Sequence, residues 1–363
     1  MKINFIDLQA QYQEYKTEID KEVSEVFASA GFIGGPKLEA FEKNIAAYTG
    51  VKHAIGCSSG TDALLLALMA LDVKAGDEII TTPFTFIATA EVIAFLGAKP
   101  VFADIDEKTY NIDTSKIENL ITAKTKAIIP VSLYGQCADM DEINAIADKH
   151  GLTVIEDACQ SFGAQYKDKR SCALSSIGCT SFFPSKPLGA YGDGGAIFTD
   201  DDELASKMRM LLNHGQNERY KHKYIGINGR LDAVQAAILD VKLRHFDKEV
   251  KLRQDIGQRY TLLLADADVV TPYIADDRTS VYAQYSIRVK DRAATIAKLS
   301  ERSIPTAVHY PMPLHLQEAF AYLGYKEGDF PVSEKISNEI MSLPMSPYLT
   351  DEQQDFIVAA IKG

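Results

Sequence analysis

Residues 53–82 read HAIGCSSGTDALLLALMALDVKAGDEIITT. An apolar run ending at Cys57 predicts a strand, and the small polar turn Ser58-Ser59-Gly60-Thr61 follows. TDALLLALMALDV then carries apolar residues at helical spacing before a second strand, DEIITT. A strand, a helix and a strand in that order form a crossover unit, which makes the two strands parallel. The alternation continues downstream. KPVFADI (99–105), TKAIIPVSL (125–133) and LTVIED (152–157) read as strands, and ATAEVIAFLGA (88–98) and MDEINAIADKH (140–150) as helices. The pattern predicts an α/β fold with a mainly parallel sheet covered on both faces. Ligands of such sheets sit beyond the carboxyl ends of the strands.

After Gly195 the pattern changes. GGAIFTD (194–200) reads as one more strand and DDELASKMRMLLNHG (201–215) as a helix, and a long helical stretch runs from near Leu231 towards Leu264. Then come a strand-like SVYAQYSIRV (280–289), a helix RAATIAKLSERS (292–303), a short PTAVHYP segment and a closing helix DEQQDFIVAAIK (351–362). This organisation predicts a large domain over residues 1–244 and a smaller C-terminal α+β domain over 245–363.

A chain of 363 residues is long enough for two such cores. Its 46% hydrophobic and 24% charged content is ordinary for a soluble enzyme. No apolar run approaches the roughly 20 residues that span a bilayer, and MKINFIDLQAQYQEYK turns polar too soon for a secretory signal. The expectation is a cytoplasmic protein with no membrane partner. Five cysteines without a CxxC pair predict neither a disulfide framework nor a metal site. A formal charge of −12 disfavours nucleic acid as partner, so an anionic ligand needs a locally basic or amide-lined site.

Three motifs carry chemistry. In CSSGTDALLLAL (57–68) a strand ends and a helix starts at once, with Ser59 or Thr61 placed to cap it. The free amides and positive dipole end of that helix suit a phosphate, though many capped helices bind nothing. In TVIEDACQSFGA (153–164) Glu156 and Asp157 fall at the carboxyl end of a central strand. A buried carboxylate there needs a cation such as a protonated pyridine nitrogen; a helix-capping aspartate is the plainer reading. In TSFFPSKPLGAYGDGGAIFT (180–199) Lys186 lies between an apolar strand and a glycine-dense turn, flanked by Pro184 and Pro187. Loss of water in such a bend favours the free amine that attacks a carbonyl, whereas most lysines simply face solvent.

Weaker signals join them. Phe84 and Phe86 follow a strand, where an aromatic ring could stack on a flat cofactor; core packing is the alternative, favoured for Phe84. Asn228 and Arg230 stand just ahead of the long helix, suited to phosphate or carboxylate or simply to capping. His309 and Tyr310 lie between prolines in TAVHYPMPL (306–314), with a domain contact as the alternative. The order of the signals is more specific than any one of them. Phosphate turn, aromatic, buried aspartate, then lysine before a glycine-rich bend is what a pyridoxal-5′-phosphate (PLP) site requires.

On those residues the chain resembles, over nearly its whole length, the DegT/DnrJ/StrS-type sugar aminotransferases of the fold-type I (aspartate aminotransferase-like) PLP enzymes. FIDLQAQY, GTDAL, FTFIATAE, IPVSLYGQCADMD, VIEDACQSFGA, SFFPSKPLGAYGDGGAIFT and NHGQ carry the likeness. CSSGTDAL, SLYGQCADMDEINAIA, FFPSKPLGAYGDGG, SVYAQY and PTAVHYPMPL are similar, more narrowly, to members that aminate UDP-2-acetamido-2-deoxy-3-oxo-glucuronate on the way to bacterial O-antigen sugars.

The resemblance implies roles. Lys186 would hold the PLP aldehyde and later move a proton. Asp157 would pair with the pyridinium nitrogen, and Gln160 would lie near the ring hydroxyl. Gly60, Thr61 and Ser181 would bind the phosphate, and Phe86 would stack on the ring. It also implies a homodimer with shared active sites, in which a neighbour's Asn228 completes the phosphate site and its Arg230 faces the sugar. His309 and Tyr310 would approach the sugar nucleotide. L-glutamate, leaving as 2-oxoglutarate, is the implied amino donor and a UDP-linked 3-keto sugar the acceptor. Members that dehydrate have histidine in place of Lys186. The competing readings are a different nucleotide-linked keto sugar, or a regulator built on the same fold.

Overall fold

Where the sequence begins with a polar run, the computed structural model, which describes residues 1–363, has two helices, α1 (Leu8–Ser29) and α2 (Pro36–Thr49). The crossover units follow: β1 (His53–Cys57), α3 (Gly60–Ala70), β2 (Glu78–Thr81), α4 (Ala88–Phe95), β3 (Lys99–Phe102), a one-turn α5 (Thr114–Ile117), β4 (Thr125–Ile128), α6 (Met140–His150) and β5 (Thr153–Asp157). A tiny hairpin of β6 (Gln165–Tyr166) and β7 (Lys169–Arg170) leads to β8 (Ile177–Ser181) and β9 (Gly195–Thr199). Then come α7 (Asp202–Leu211), a hairpin of β10 (Gln216–Glu218) and β11 (Lys221–His222), and the long α8 (Ala233–Leu263). The chain closes with β12 (Tyr285–Arg288), α9 (Arg292–Glu301), α10 (Pro331–Glu339), β13 (Ile340–Leu343) and α11 (Asp351–Lys362).

One seven-stranded sheet in the order β1-β9-β8-β5-β4-β2-β3 organises the molecule. Only β9 runs antiparallel to its neighbours; the pairs among β2, β3, β4, β5 and β8 are parallel. Alternation along the strands sends Ile80, Ile128 and Val154 into the core on one face and Ile79, Ala127 and Ile155 into the core on the other. With both faces covered, the strands read as unbroken apolar runs rather than alternating ones.

The carboxyl ends of β1, β2, β4, β5 and β8 meet at one edge of the sheet, where β9 begins. In register there, Gly195 sits between Cys57 and Ser181. A Cβ at Gly195 would lie 2.4 Å from the Ser59 carbonyl oxygen, so a hydrogen is all that fits and the start of α3 closes onto the sheet.

Several expectations need adjustment. The strand read at Thr180–Phe183 ends at Ser181: the Phe182 amide still donates to Gly194 O at 2.7 Å, but its carbonyl turns to accept from the Ala190 amide at 2.7 Å. Within SVYAQYSIRV the ladder with β13 covers Tyr285–Arg288, and Ser280 and Arg288 make single bridges to Gln136 and Val270. PTAVHYP forms no strand, only a single bridge between Ala307 and Ser342. A separate C-terminal core joins Tyr260, Tyr285, Leu343 and Ile357, and the N-terminal Ile3 packs into it. On this core we propose the division into 1–244 and 245–363, with the unbroken α8 crossing it at residue 245.

Candidate active site

The turn after β1 builds the first wall. Ser59 is the N-cap of α3, its Oγ accepting from the Asp62 amide at 3.0 Å. Thr61, the other candidate cap, is a helical residue instead. In the first turn the Gly60 and Thr61 amides have no partner four residues back, which leaves donors and a positive dipole end at the cavity that both residues line. A Cβ at Gly60 would lie 2.6 Å from Ser181 Cβ and 2.9 Å from Cys159 Sγ. The glycine thus lets β8 and the β5 turn close against the helix end.

The end of β5 supplies two carboxylates with different fates. Glu156 is fully buried and accepts from Ser132 Oγ (2.8 Å), Ser171 Oγ (2.9 Å) and the Cys172 amide (2.8 Å). Burial raises its pKa against those hydrogen bonds. Glu156 fastens the strand and faces no cavity. Asp157, 4% exposed, lines the cavity. It accepts from Thr89 Oγ1 at 2.8 Å and from the Cys159 amide at 3.2 Å. No lysine, arginine or histidine bonds to it, so this buried carboxyl lines the cavity without a cationic partner.

Lys186 lines the same cavity of about 370 Å³. Its bend is closed by its own amide donating to Phe183 O at 2.8 Å and by the Ala190 amide donating to Phe182 O at 2.7 Å. Lys186 acts on its neighbours. The His309 pKa is lowered, first by burial and then by the Lys186 charge. His309 Nδ1 bonds Ser342 Oγ at 3.0 Å, and the Tyr134 hydroxyl donates to its carbonyl. Tyr310 packs its ring against Phe84 and Phe86, with centroids 6.4 and 6.2 Å away. The Gln160 amide bridges the two sides, accepting from the Tyr134 amide at 2.9 Å and donating to the Tyr310 hydroxyl at 3.2 Å. Burial pushes the Tyr310 phenol well up, so it stays protonated.

Nine of the residues picked from the sequence therefore share one cavity: Gly60, Thr61, Phe86, Asp157, Gln160, Ser181, Lys186, His309 and Tyr310. Phe86 is 53% exposed there while Phe84 is wholly buried, which separates the two aromatics into a cavity face and a core member. Asn228 and Arg230 do not line it. Asn228 bridges Asn213, and Arg230 donates to Asn213 Oδ1 at 2.6 Å while its Nε is buried without a partner. Sequence reading missed Thr85, Thr89, Ser185, Asp193 and Gln284, which also line the cavity. Thr89 was detectable as a lone hydroxyl on a helix otherwise apolar at the buried positions.

A flat, anionic pyridine aldehyde fits what is present. The helix end offers amides for a phosphate, Gly60 leaves no side chain in the way, Asp157 lacks a cation, and Lys186 offers an amine. No group of three His, Cys, Asp or Glu side chains is arranged to hold a metal, and no helix is long and apolar enough to cross a membrane.

Comparison with known proteins agrees with this chemistry. The sequence profile of the DegT/DnrJ/EryC1/StrS aminotransferase family matches residues 13–362. The UDP-2-acetamido-2-deoxy-3-oxo-D-glucuronate aminotransferase of Pseudomonas aeruginosa is 52% identical over 99% of both chains. A pleiotropic regulatory protein of Geobacillus stearothermophilus is 51% identical over 99% of this chain and 98% of that one. Among solved structures, NtdA from Bacillus subtilis with bound cofactor PMP superposes with a TM-score of 0.90 at 34% identity, covering 96% of this chain and 81% of that one.

Proposed function

From a chain that belongs to the DegT/DnrJ/EryC1/StrS aminotransferase family, we propose an enzyme that moves an amino group from L-glutamate to C3 of UDP-2-acetamido-2-deoxy-3-oxo-D-glucuronate, for bacterial surface polysaccharide. It is a fold-type I, PLP-dependent aminotransferase. The chemistry is carried by one observation: Lys186 and the unpaired carboxylate of Asp157 lie in one cavity at the amide end of α3. The choice of sugar rests on the 52% identity to the Pseudomonas aeruginosa enzyme.

When bound, PLP supplies the electron sink that makes a carbon beside the amino nitrogen acidic enough to lose a proton. Asp157, oriented by Thr89 and the Cys159 amide, would hold the ring nitrogen protonated. Gly60, Thr61 and Ser181 would hold the phosphate. Phe86 would cover one face of the ring, and Gln160, fixed between Tyr134 and Tyr310, would lie near its hydroxyl. Lys186 Nζ would hold the aldehyde and, once displaced by the amino donor, take and return the proton at the substrate carbon. His309 and Tyr310 would border the sugar. Because Arg230 stands outside its own chain's cavity, we assign it, with Asn228, to the site of a second subunit in a homodimer. There it would meet the uronate carboxylate.

The test is an absorbance scan of the purified protein with PLP, before and after glutamate. A visible band that glutamate removes, and that Lys186→Ala lacks, supports the reading; the keto sugar then restores the band, and NMR of the product places the nitrogen at C3. Nitrogen at C4, or response only to another nucleotide sugar, moves the substrate within the family. Absence of any band with PLP would favour the regulatory role suggested by the name of the Geobacillus stearothermophilus relative.

A further inference from the structure

One buried charge stands outside the chemistry described so far. Lys242, on α8, is 3% exposed. Its ammonium donates to the carbonyl of Gly189 and lies 5.0 Å from the centroid of the Tyr191 ring. Besides the Gly189 carbonyl, the groups that act on it are Glu249 and Arg253 on α8 and Tyr191 on the bend. Glu249 acts on the ammonium only through its charge and makes no hydrogen bond to it. Its carboxylate accepts from Gln11 Nε2 at 2.8 and 3.1 Å and from the Tyr348 hydroxyl at 3.0 Å. Burial lowers the Lys242 pKa to about 8, with Glu249 opposing the shift and Arg253 adding to it. A buried ammonium with no carboxylate bonded to it costs stability, so packing alone gives no reason for a charge here.

What the charge touches is the bend that carries Lys186. Gly189 is pressed against that bend, since a Cβ there would lie 2.4 Å from Pro184 O. Two residues on, the Tyr191 amide donates to Gln235 Oε1 at 2.9 Å, and Gln235 Nε2 donates back to Tyr191 O at 3.3 Å. Gln235 and Lys242 are seven residues apart, hence on one face of α8. The helix therefore grips the bend at two points, and the point nearer Lys186 is the charged one.

We infer that Lys242 is a positioning residue for the transamination, its buried charge clamping the Gly189 carbonyl and so setting where the bend presents Lys186. This rests on the reading of Lys186 as the residue that carries PLP. The test compares holoenzyme of the wild type, Lys242→Met and Lys242→Arg, with Lys251→Met on the exposed face of α8 as control. Four quantities are read: thermal midpoint, kcat, KM for glutamate, and the rate at which the visible PLP band is lost on dialysis. We expect Lys242→Met to melt close to the wild-type temperature, because relief of the buried charge offsets the Gly189 carbonyl left without its donor. Its kcat falls roughly ten- to a hundred-fold, the scale of a misplaced catalytic group. KM changes little, the band is lost faster, and Lys242→Arg recovers part of both losses. Unchanged kcat and dialysis rate would overturn the inference, as would a midpoint falling in step with activity and no recovery in Lys242→Arg. Should Lys242→Met not fold, Lys242→Gln keeps a donor for the Gly189 carbonyl without the charge; if that also fails to fold, Lys242 belongs to the core and the inference is overturned. A wild type that shows no PLP band at all counts against the reading of Lys186, before any variant is compared.

Discussion

At the scale of single residues, the site works by leaving some charges unanswered and satisfying others. Adjacent carboxylates show the contrast: Glu156 has three donors and holds the strand, while Asp157 has two and faces the cavity. Thr89→Val removes one of Asp157's two donors without changing shape. A buried acceptor left short of a partner costs about 1–3 kcal/mol, and we expect apoprotein stability to fall by that order in chemical denaturation, with PLP restoring part of it. His309 gives a pH prediction. Its folded pKa lies below the usual 6.5, so the unfolded chain takes up the proton first as pH falls. Its contribution to stability is complete above about pH 6.5 and is lost as pH drops through the lower folded value. Part of the depression comes from the Lys186 charge. An NMR titration of the apoprotein should therefore find the His309 pKa higher in Lys186→Met than in wild type; an unmoved pKa would separate the two side chains electrostatically.

At the scale of elements, what was legible in the sequence was what one period decides. The helix at Met140–His150 and the long helix ending at Leu263 matched their apolar spacing closely, and the strands at residues 53–57 and 153–157 stood out as unbroken apolar runs between helices. Helix α1 escaped because its buried stripe is Gln11, Tyr15, Ile19 and Val26, with two polar-headed members in four. Its Gln11 is buried for a hydrogen bond to Glu249, a long-range reason that no local pattern records. Most of the cavity was legible because motifs at strand ends converge in any parallel sheet. Thr85, Asp193 and Gln284 were not, since only the tertiary fold brings them to that edge. The start of α3 makes the clearest element-scale prediction. Ser59→Ala removes the cap and should cost about 1 kcal/mol with PLP affinity reduced. Gly60→Ala drives a methyl into Ser181 and Cys159 and should abolish PLP binding in an absorbance titration while far-ultraviolet dichroism stays close to wild type.

At the scale of the whole molecule, the cavity lacks a cation for a nucleotide diphosphate other than Lys186, and the chain carries a net −12. A second subunit that brings Arg230 and Asn228 would correct that deficit. Mixed dimers test it: Lys186→Ala and Arg230→Ala, each inactive alone, should regain a fraction of wild-type activity when co-expressed, because one of the two sites in a hybrid is then intact. No recovery in hybrids whose assembly is verified by mass would place each site within a single chain.

The first residues of the chain have their own role in the C-terminal core. Ile3 is buried there, the Phe5 carbonyl accepts from the Met345 amide at 3.0 Å, and the Lys2 carbonyl accepts from Gln353 Nε2 at 3.0 Å. During synthesis Lys2 thus waits for a partner 351 residues further along the chain, and the loop that this contact closes is a very long one. Such closure is slow and late. The segment is a latch fastened only once Met345 and Gln353 have been made, so Ile3→Asp, which loosens it, should lower the yield of folded protein.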